Sequence, residues 1–484
     1  MNILTTLLAV MLAAMTVPAE IPDFSRTGYM WSDKPLPKYD VKCVLAPPSD
    51  GGDATEAIQQ AIDEFKGKGA ILLSKGTWNV SGTIHLNKSN LVLRGEGDET
   101  VVVATGKSKR SLIHLGEACE REYGPHKSKI MGDYFPVGAF ALPLEKDHPF
   151  KKGDRIVVSW YPSQKWISDL KMDQIPPRWD GIPVKQWTPD RFIMHFERTV
   201  VDVRDNVVYM ENPLVLALDA QYGEYHVSSY SYSNRITESG IENMCLVSEY
   251  VSEEDEAHSW TAIEINAAEH CWVKNIHASY FCFACVDMKE GAKNITVDSS
   301  SYERPKAKTT GSRKYGFYFN FAQQSLVSNC VCIGSRHGFA TGQVVCGPNV
   351  FVYCTEIDGC GDCGPHMRWA SGVLYDNLET DSLLRVQDRS NMGPSHGWAG
   401  VNHVFWNCTA RILVCQNPWI MGKNYCIGCI GRKHPGSYKG RPDGEWISHG
   451  THVEPRSLYA EQLRSRKSAK IKAVPKRIIN KTKR

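Results

Sequence analysis

Histidine and arginine recur in three short segments between residues 334 and 400, where they could bind and deprotonate an acidic substrate. The segments read Arg336-His-Gly-Phe-Ala-Thr-Gly342, His366-Met-Arg-Trp-Ala-Ser-Gly372 and His396-Gly-Trp-Ala-Gly400. Aligned on their aromatic residues, they predict that Arg336, His366 and Arg368 share one face of stacked strands. His337 and His396 are expected on the opposite face, together with the aromatic side chains.

A second strand-like segment and the loop before it add to this group. Arg385, Gln387 and Arg389 alternate along the segment and are expected to point to one side. Asp362 comes from the preceding loop. Because clustered like charges repel unless a partner offsets them, we predict that these residues converge with the histidines on a ligand site.

These residue types suit β-elimination on a uronate-containing polysaccharide. Arginine binds the sugar carboxylate through two parallel hydrogen bonds, which acidifies the C5 proton that a base then removes. His366 is the preferred acid or base, followed by His337 and His396, because imidazole titrates near neutral pH. Arg368 and Asp362 complete the predicted catalytic set, Asp362 by orienting a histidine. The predicted substrate-binding residues are Arg336, Arg385, Gln387, Arg389, Trp369 and Trp398.

The elements that must position these residues repeat along the chain from residue 240 onwards. Short β-rich segments begin at Cys271, Asn294, Ser325, Asn349, Gly372, His403 and Asn424. The intervals of 23, 31, 24, 23, 31 and 21 residues are typical of coils in a parallel β-helix, which stack because one coil cannot bury its inner face alone. The residue directly after each of the last five segments is expected to lie in one column inside the β-helix, where buried thiols are inert. These residues are Cys330, Cys354, Asn377, Cys408 and Cys429.

The N-terminal region is typical of a capped first coil. Residues 53–63 place apolar side chains on one face and predict a helix that covers the edge of the first strands. The residues that form a recognisable motif here are Gly52, Asp53, Thr55, Ile58, Gln59, Ala61, Ile62, Asp63, Gly76 and Trp78. This stretch resembles the start of the pectate lyase superfamily, including its rhamnogalacturonase-like and phage-tailspike branches. Residues 240–430 resemble uncharacterised bacterial pectate-lyase-like proteins.

The resemblance implies an all-β fold, a right-handed parallel β-helix with an N-terminal capping helix. Residues 40–115 would form the cap and first coils, and residues 239–440 the main helix. Residues 116–238 interrupt the repeat and predict an inserted β-rich subdomain of antiparallel strands. Its aromatic residues either stack on sugar rings or form the core of the subdomain: Trp160, Tyr161, Trp166, Trp179 and Trp187.

Two other functions stay open at this stage. Hydrolysis would need a carboxylate pair drawn from Asp358, Asp362, Asp376 and Asp388, although the tandem aspartates and Gly-His-Gly motif of the polygalacturonase-like branch are absent. A non-catalytic glycan-binding adhesin would present flat aromatic surfaces. No metal cofactor is predicted: Asp362 could join a calcium site, but no dense run of carboxylates supplies the six or more oxygens that calcium takes.

The two ends of the chain carry their own signals. Residues 1–19 combine a short apolar run with a small-residue cleavage site and predict a signal peptide, hence a secreted (periplasmic or extracellular) protein. Residues 456–484 hold 11 Lys and Arg against one acid and predict a disordered, solvated tail. The expected partner is an acidic polysaccharide or oligosaccharide, with no nucleic acid and no membrane span. The sequence leaves the oligomeric state open.

Overall fold

The structure is a computed structural model that describes residue 18 and residues 20–473, with side chains up to residue 469. Apart from residue 18, the predicted signal peptide lies outside the described residues. The described chain is mostly β, as predicted. In this part of the chain, no helix is both long and apolar enough to cross a membrane.

Most strands belong to a stack of parallel coils with three faces, which we call the first, second and third ladders. The first ladder contains Val41–Leu45, Gly69–Leu73, Leu91–Ala104, Gly240–Ser248, Trp272–Ser279, Thr296–Asp298, Leu326–Ser328, Cys346–Val352, Ala370–Asp376, Gly400–Val401, Val404–Trp406, Tyr425–Ile427 and Glu445–Ile447. The second ladder contains Gly76–Val80, Ser301–Glu303, Val331–Ile333, Thr355–Ile357, Glu379–Val386, Thr409–Cys415 and Ile430–Lys433, with the later parts of three long first-ladder strands.

The third ladder positions the predicted site. It contains Ile84–Leu86, Ser111–Leu115, Thr261–Ile265, Ala284–Met288, Tyr315–Phe319, His337–Thr341 and Asp362–Pro365, followed by the ends of Glu379–Val386 and Thr409–Cys415. Its inward side chains, such as Phe317, Phe339 and Leu384, pack in the common core of the coils. The outward side chains are free to build a surface, because side chains alternate along each strand.

The register corrects the sequence alignment by one residue at two coils. Trp272 pairs with Thr296, and Leu374 follows Val350 in the same row, so the coil starts align with residues 295 and 373 rather than 294 and 372. The internal column is consequently Cys330, Cys354, Leu378, Cys408 and Cys429. The predicted member Asn377 instead adopts a left-handed turn with φ 54°, as Asn329 and Asn407 do in neighbouring coils. Asparagine tolerates this conformation better than most residues.

A capping helix and an inserted sheet flank the stack. The helix Thr55–Glu64 buries Ile58 and Ile62 against the core and confirms the predicted cap. Within the predicted insert lies a six-stranded antiparallel sheet ordered Glu122–Lys129, Gly223–Ser231, Arg155–Pro162, Met194–Arg204, Val207–Met210 and Ala141–Pro143. Further short elements are Tyr134–Phe135, Leu218–Asp219, Ile236–Thr237, Ala268–Glu269, the helix Gln164–Asp169 and the 3-10 turns Tyr29–Ser32 and Pro189–Phe192.

The prediction of a disordered tail is wrong for its first part. Leu458–Ala473 is a helix, and both Leu458 and Tyr459 are buried against the coils. Arg466 is buried too and donates to Ser25 and to the carbonyl of Trp31. Some of the basic charge in this region therefore anchors the C-terminal helix to the N-terminal segment; residues 474–484 lie outside the described residues.

Candidate functional site

Three consecutive coils bring the predicted histidines together at the outer edge of the third ladder. Tyr315 pairs with His337 in this ladder, and Thr341 pairs with Pro365, the residue before His366. Adjacent strands of a sheet lie about 4.8 Å apart, so residues some 25 positions apart in sequence become neighbours. Tyr315 was not predicted from the sequence; its only signal is its position one coil before His337.

The three imidazole rings form one continuous stack of layers, in which neighbouring rings meet edge to face. The ring centroids of His337 and His366 are 4.4 Å apart, and those of His366 and His396 are 4.9 Å apart. The ring of Tyr315 extends the stack, 4.7 Å from His337. The prediction that His366 lies on the opposite face from His337 and His396 is therefore wrong. Alternation holds only inside regular strands, whereas His366 follows a strand end and His396 lies in a loop.

Asp362 joins the histidines to two arginines. Its Oδ1 accepts from Arg385 Nη2 at 2.9 Å and lies 3.0 Å from His337 Nδ1, while its Oδ2 accepts from Arg389 Nη1 at 3.2 Å. The carboxylate is only 2% exposed. Burial alone would raise the pKa of Asp362, but the charges of Arg385 and Arg389, together with the hydrogen bond from His337, outweigh it and hold the pKa well below its usual range. Asp362 is thus an ionised structural hub.

The hydrogen bonds assign different tautomers to the two inner histidines. His337 Nδ1 faces two acceptors, the carboxylate and the carbonyl of Asp362, so it carries the proton. Its Nε2 is buried and has no hydrogen-bond partner among the described residues, which leaves a free lone pair. His366 Nδ1 lies 3.2 Å from Arg389 Nη1, a group that can only donate, so His366 carries its proton on Nε2.

All three imidazoles are neutral at pH 7. Burial lowers the pKa of His337, partly offset by Asp362, and burial with the nearby His337 and Arg389 lowers the pKa of His366 well below its usual value. Burial together with Arg389 and Arg368 lowers the pKa of His396 to about 2. Because the arginines stay charged, the positive charge of this region belongs to them and not to the histidines.

A cleft of about 670 Å³ opens over this stack. Its lining includes Tyr315, Arg336, His366, Arg368, Arg389 and His396. Arg336 Nη1 and Arg389 Nε are buried without hydrogen-bond partners among the described residues, and Arg368 donates to Gln343 and to the carbonyl of Pro394. Buried donors are almost always satisfied in folded proteins, so these two guanidinium atoms favour a ligand that accepts hydrogen bonds.

Not all predicted site residues reach the cleft. His337, Asp362 and Arg385 lie behind its lining, where Arg385 pairs with Asp362. Gln387 is buried and accepts from the backbone N–H of Ser437, so it supports a neighbouring loop instead of contacting a ligand in the cleft.

The assignment of Trp369 and Trp398 to substrate binding is wrong. Both are fully buried in the apolar cluster between the coils and the inserted sheet. Trp369 packs edge-on against Trp166 at 5.0 Å, and Trp398 Nε1 donates to the carbonyl of Leu170. The insert thus uses its tryptophans, including Trp187, mostly as core, which was one of the two alternatives. Trp179 is the exception, being 95% exposed at the rim of the cleft.

The carboxylates proposed for hydrolysis do not form a pair in the cleft. Asp376 is buried and accepts from Ser457 and from the N–H of Tyr459, and Asp388 is paired with Arg441. Asp358 is exposed on another turn. Asp362 itself is committed to two arginines. None of the four carboxylates lines the cleft.

The described residues contain two groups with ligand atoms close enough to share a metal ion. One is His337, Asp362 and His366, and the other is His85, His114 and Glu117 on the surface of the first coils. In the first group, Arg385 and Arg389 already donate to the candidate oxygen and nitrogen ligands. Its donors are also mostly nitrogen, whereas calcium takes oxygen ligands. This arrangement suits an anion held by guanidinium groups better than a calcium ion.

Comparison with known proteins finds similar solved structures at low sequence identity. No protein-family model and no curated protein sequence matches the chain. The alginate lyase from Paenibacillus sp. str. FPU-7 gives a TM-score of 0.40 at 8% identity, over 85% of this chain and 99% of that one. The tailspike of E. coli bacteriophage HK620, solved with a pentasaccharide, gives a TM-score of 0.42 at 10% identity, over 83% of this chain and 53% of that one.

The tailspike protein gp49 of Pseudomonas phage LKA1 superposes with a TM-score of 0.51 at 14% sequence identity. The match covers 78% of this chain and 56% of that protein, so the chain spans just over half the length of the tailspike. The parallel ladders, the capping helix and this superposition together show that the chain has the right-handed parallel β-helix fold.

Proposed function

We propose that this protein is a secreted enzyme that binds a uronate-containing polysaccharide in the cleft and cleaves it by β-elimination. The observation that carries the proposal is the charge of the lining. Arg336, Arg368 and Arg389 border one cleft, whereas Asp362 lies behind it in ion pairs and the imidazoles are neutral. The unpaired donors of Arg336 and Arg389 would bind the sugar carboxylate, which offsets their charge.

The tautomers support distinct roles in proton transfer. Tyr315 lines the cleft and contacts the ring of His337, whose Nε2 lone pair is free. In the proposed step, the Tyr315 oxygen takes the C5 proton while its own proton passes to His337. The C4–C5 double bond forms as the bond from C4 to the glycosidic oxygen breaks. His366 stabilises that departing oxygen with its Nε2–H, and the oxygen then takes a proton from solvent.

Electrostatics favour the same direction of transfer. Burial raises the pKa of Tyr315 to about 12, so the phenol needs a base behind it before it can accept a proton from carbon. Asp362 orients His337 for that role and stabilises the imidazolium that results. The charge of the nearby Arg336 opposes this rise in the pKa of Tyr315 and favours a transient negative charge on its oxygen.

The experiment is an elimination assay on a panel of uronate polymers, read by the ultraviolet absorbance of the unsaturated product. Wild-type protein should generate product, and Tyr315→Phe should lose about 100-fold or more, the usual contribution of a positioned acid–base group. His366→Ala should remove activity and leave the fold intact. Tyr353→Phe, at an exposed tyrosine on a distant turn, is the matched control and should be unaffected.

The outcomes also separate the two alternatives. New reducing ends without ultraviolet absorbance would replace elimination by hydrolysis. Glycan binding without any product, and without loss on His366→Ala, would favour an adhesin. Elimination by Tyr315→Phe at the wild-type rate would refute the proposed proton path, although the proposed reaction would stand.

A further inference from the structure

Trp179 differs from the other tryptophans of the inserted subdomain. Trp160, Trp166 and Trp187 are buried in the core of the insert, but Trp179 is 95% exposed. It borders the same cleft as His366 and Arg389. An exposed indole forgoes the favourable free energy of burial, so its position at the wall of a cleft favours contact with a ligand.

The loop that carries Trp179 is firmly attached to the wall of the cleft. Arg178 donates from Nη1 to the carbonyls of Asn391 and Gly393, at 3.0 and 2.9 Å. Asn391 in turn donates to the carbonyls of Pro176 and Pro177, at 3.2 and 2.8 Å. Six residues further on, the N–H of Lys185 donates to Ser395 Oγ at 2.9 Å. The exposed ring is therefore held on an anchored loop, which limits the entropy lost when a ligand covers it.

The chemistry of the neighbouring surface indicates what would cover the ring. The cleft presents hydrogen-bond donors at its arginines, and Trp179 offers a flat apolar face on the same cleft. A pyranose ring combines these properties, because its hydroxyl and carboxylate groups lie around the edge and its C–H groups form an apolar face. We infer that Trp179 is the stacking platform for a sugar ring next to the one bound by Arg336 and Arg389.

This inference rests on the proposed function and deepens it. It assigns two adjacent subsites to the cleft, one ionic and one aromatic, so the ligand must contain at least two linked sugars. Affinity at the aromatic subsite would then increase with the length of the oligosaccharide and would not depend on its charge. The two subsites should respond differently to salt, because ionic contacts are screened and stacking is not.

The test measures binding of uronate oligosaccharides of increasing length by isothermal titration calorimetry. Wild type is compared with Trp179→Ala, Trp179→Phe and the matched control Ile182→Ala, a half-exposed apolar residue on the same loop that does not line the cleft. Trp179→Ala should weaken binding of the longer oligosaccharides about ten- to fifty-fold, and Trp179→Phe about threefold. A monosaccharide uronate should bind all variants equally, and Ile182→Ala should match wild type.

The results distinguish this inference from the proposed reaction. Loss of oligosaccharide affinity in Trp179→Ala, in a protein that forms no unsaturated product, would retain the platform and refute elimination. Unchanged affinity at every length would refute the platform even if elimination is observed, as would the absence of oligosaccharide binding to the wild-type protein. Because Trp179 is exposed, unfolding of the variant is not expected, and thermal melting checks this directly.

Discussion

Replacing one carboxylate, in Asp362→Asn, is expected to destabilise the protein by about 3–5 kcal/mol at neutral pH. Asp362 is 2% exposed and is the ion-pair partner of Arg389, which is itself 5% exposed. The asparagine keeps the shape of the side chain but leaves the buried guanidinium without its counter-ion. Arg385 and His337 contact the same carboxylate and lose its negative charge as well. The cost is therefore that of an uncompensated buried charge and exceeds that of one hydrogen bond.

The pH dependence separates this electrostatic cost from packing. Since the pKa of Asp362 is lowered in the folded protein, its contribution is present above the unfolded pKa near 4 and is lost as the pH falls through the folded pKa. The difference in free energy of unfolding between wild type and Asp362→Asn should thus stay constant from about pH 8 to about pH 5. It should shrink only below about pH 4.

Denaturant unfolding followed by circular dichroism measures these differences. Asp358→Asn, at an exposed aspartate in the same loop region, is the matched control and should change stability by less than about 0.5 kcal/mol. Asp362→Asn with Arg389→Met should recover part of the loss, because it removes the unpaired charge. A loss below about 1 kcal/mol in Asp362→Asn, or no recovery in the double variant, would refute the role of Asp362 as the counter-ion of Arg389.

Three further predictions concern titration and metals. Burial lowers the pKa of His396 to about 2, so the stabilisation that comes from keeping this histidine neutral is lost as the pH falls below 6.5. Between pH 6.5 and pH 5, the free energy of unfolding should therefore fall by about 2 kcal/mol less in His396→Gln than in wild type. Burial raises the pKa of Asp287 to about 7, so the fold loses stability as the pH rises from about 4 to 7. In the same unfolding assay, Asp287→Asn should be up to about 4 kcal/mol more stable than wild type at pH 8 and little different at pH 4. Dialysis against a chelator should leave elimination unchanged, and loss of activity that calcium restores would contradict a metal-independent site.

The repeat and the capping helix were predictable because each produces a local pattern of residue types in the sequence. Apolar residues recur at the helical period in residues 53–63, and the coils return every 21–31 residues. The exact register was harder to predict from the sequence. A residue in the left-handed conformation, such as Asn377, changes which of the following side chains point inward, and the composition gives no sign of this change. A shift of one residue exchanges inward and outward positions, and this is why Asn377 was placed in the column that Leu378 occupies.

The site was predictable in content but not in arrangement. His366, Arg336, Arg368, Arg389 and His396 do line one cleft. The sequence could not reveal that Trp369 and Trp398 are covered, because the insert that covers them is far away in the chain. Tyr315 carries no motif and becomes visible only when its coil is stacked beside that of His337.

The coils and the inserted subdomain contribute differently to the candidate site. Stacked coils place one titratable or cationic side chain per layer, but the outer face of a parallel ladder is nearly flat and cannot enclose a sugar. The insert supplies a wall, and Trp187 and Lys185 attach that wall to Ser395, next to His396. Changes in the exposed loop around Trp179 should therefore alter which glycan is bound, whereas changes in the stack from Tyr315 to His366 should alter the rate of the reaction.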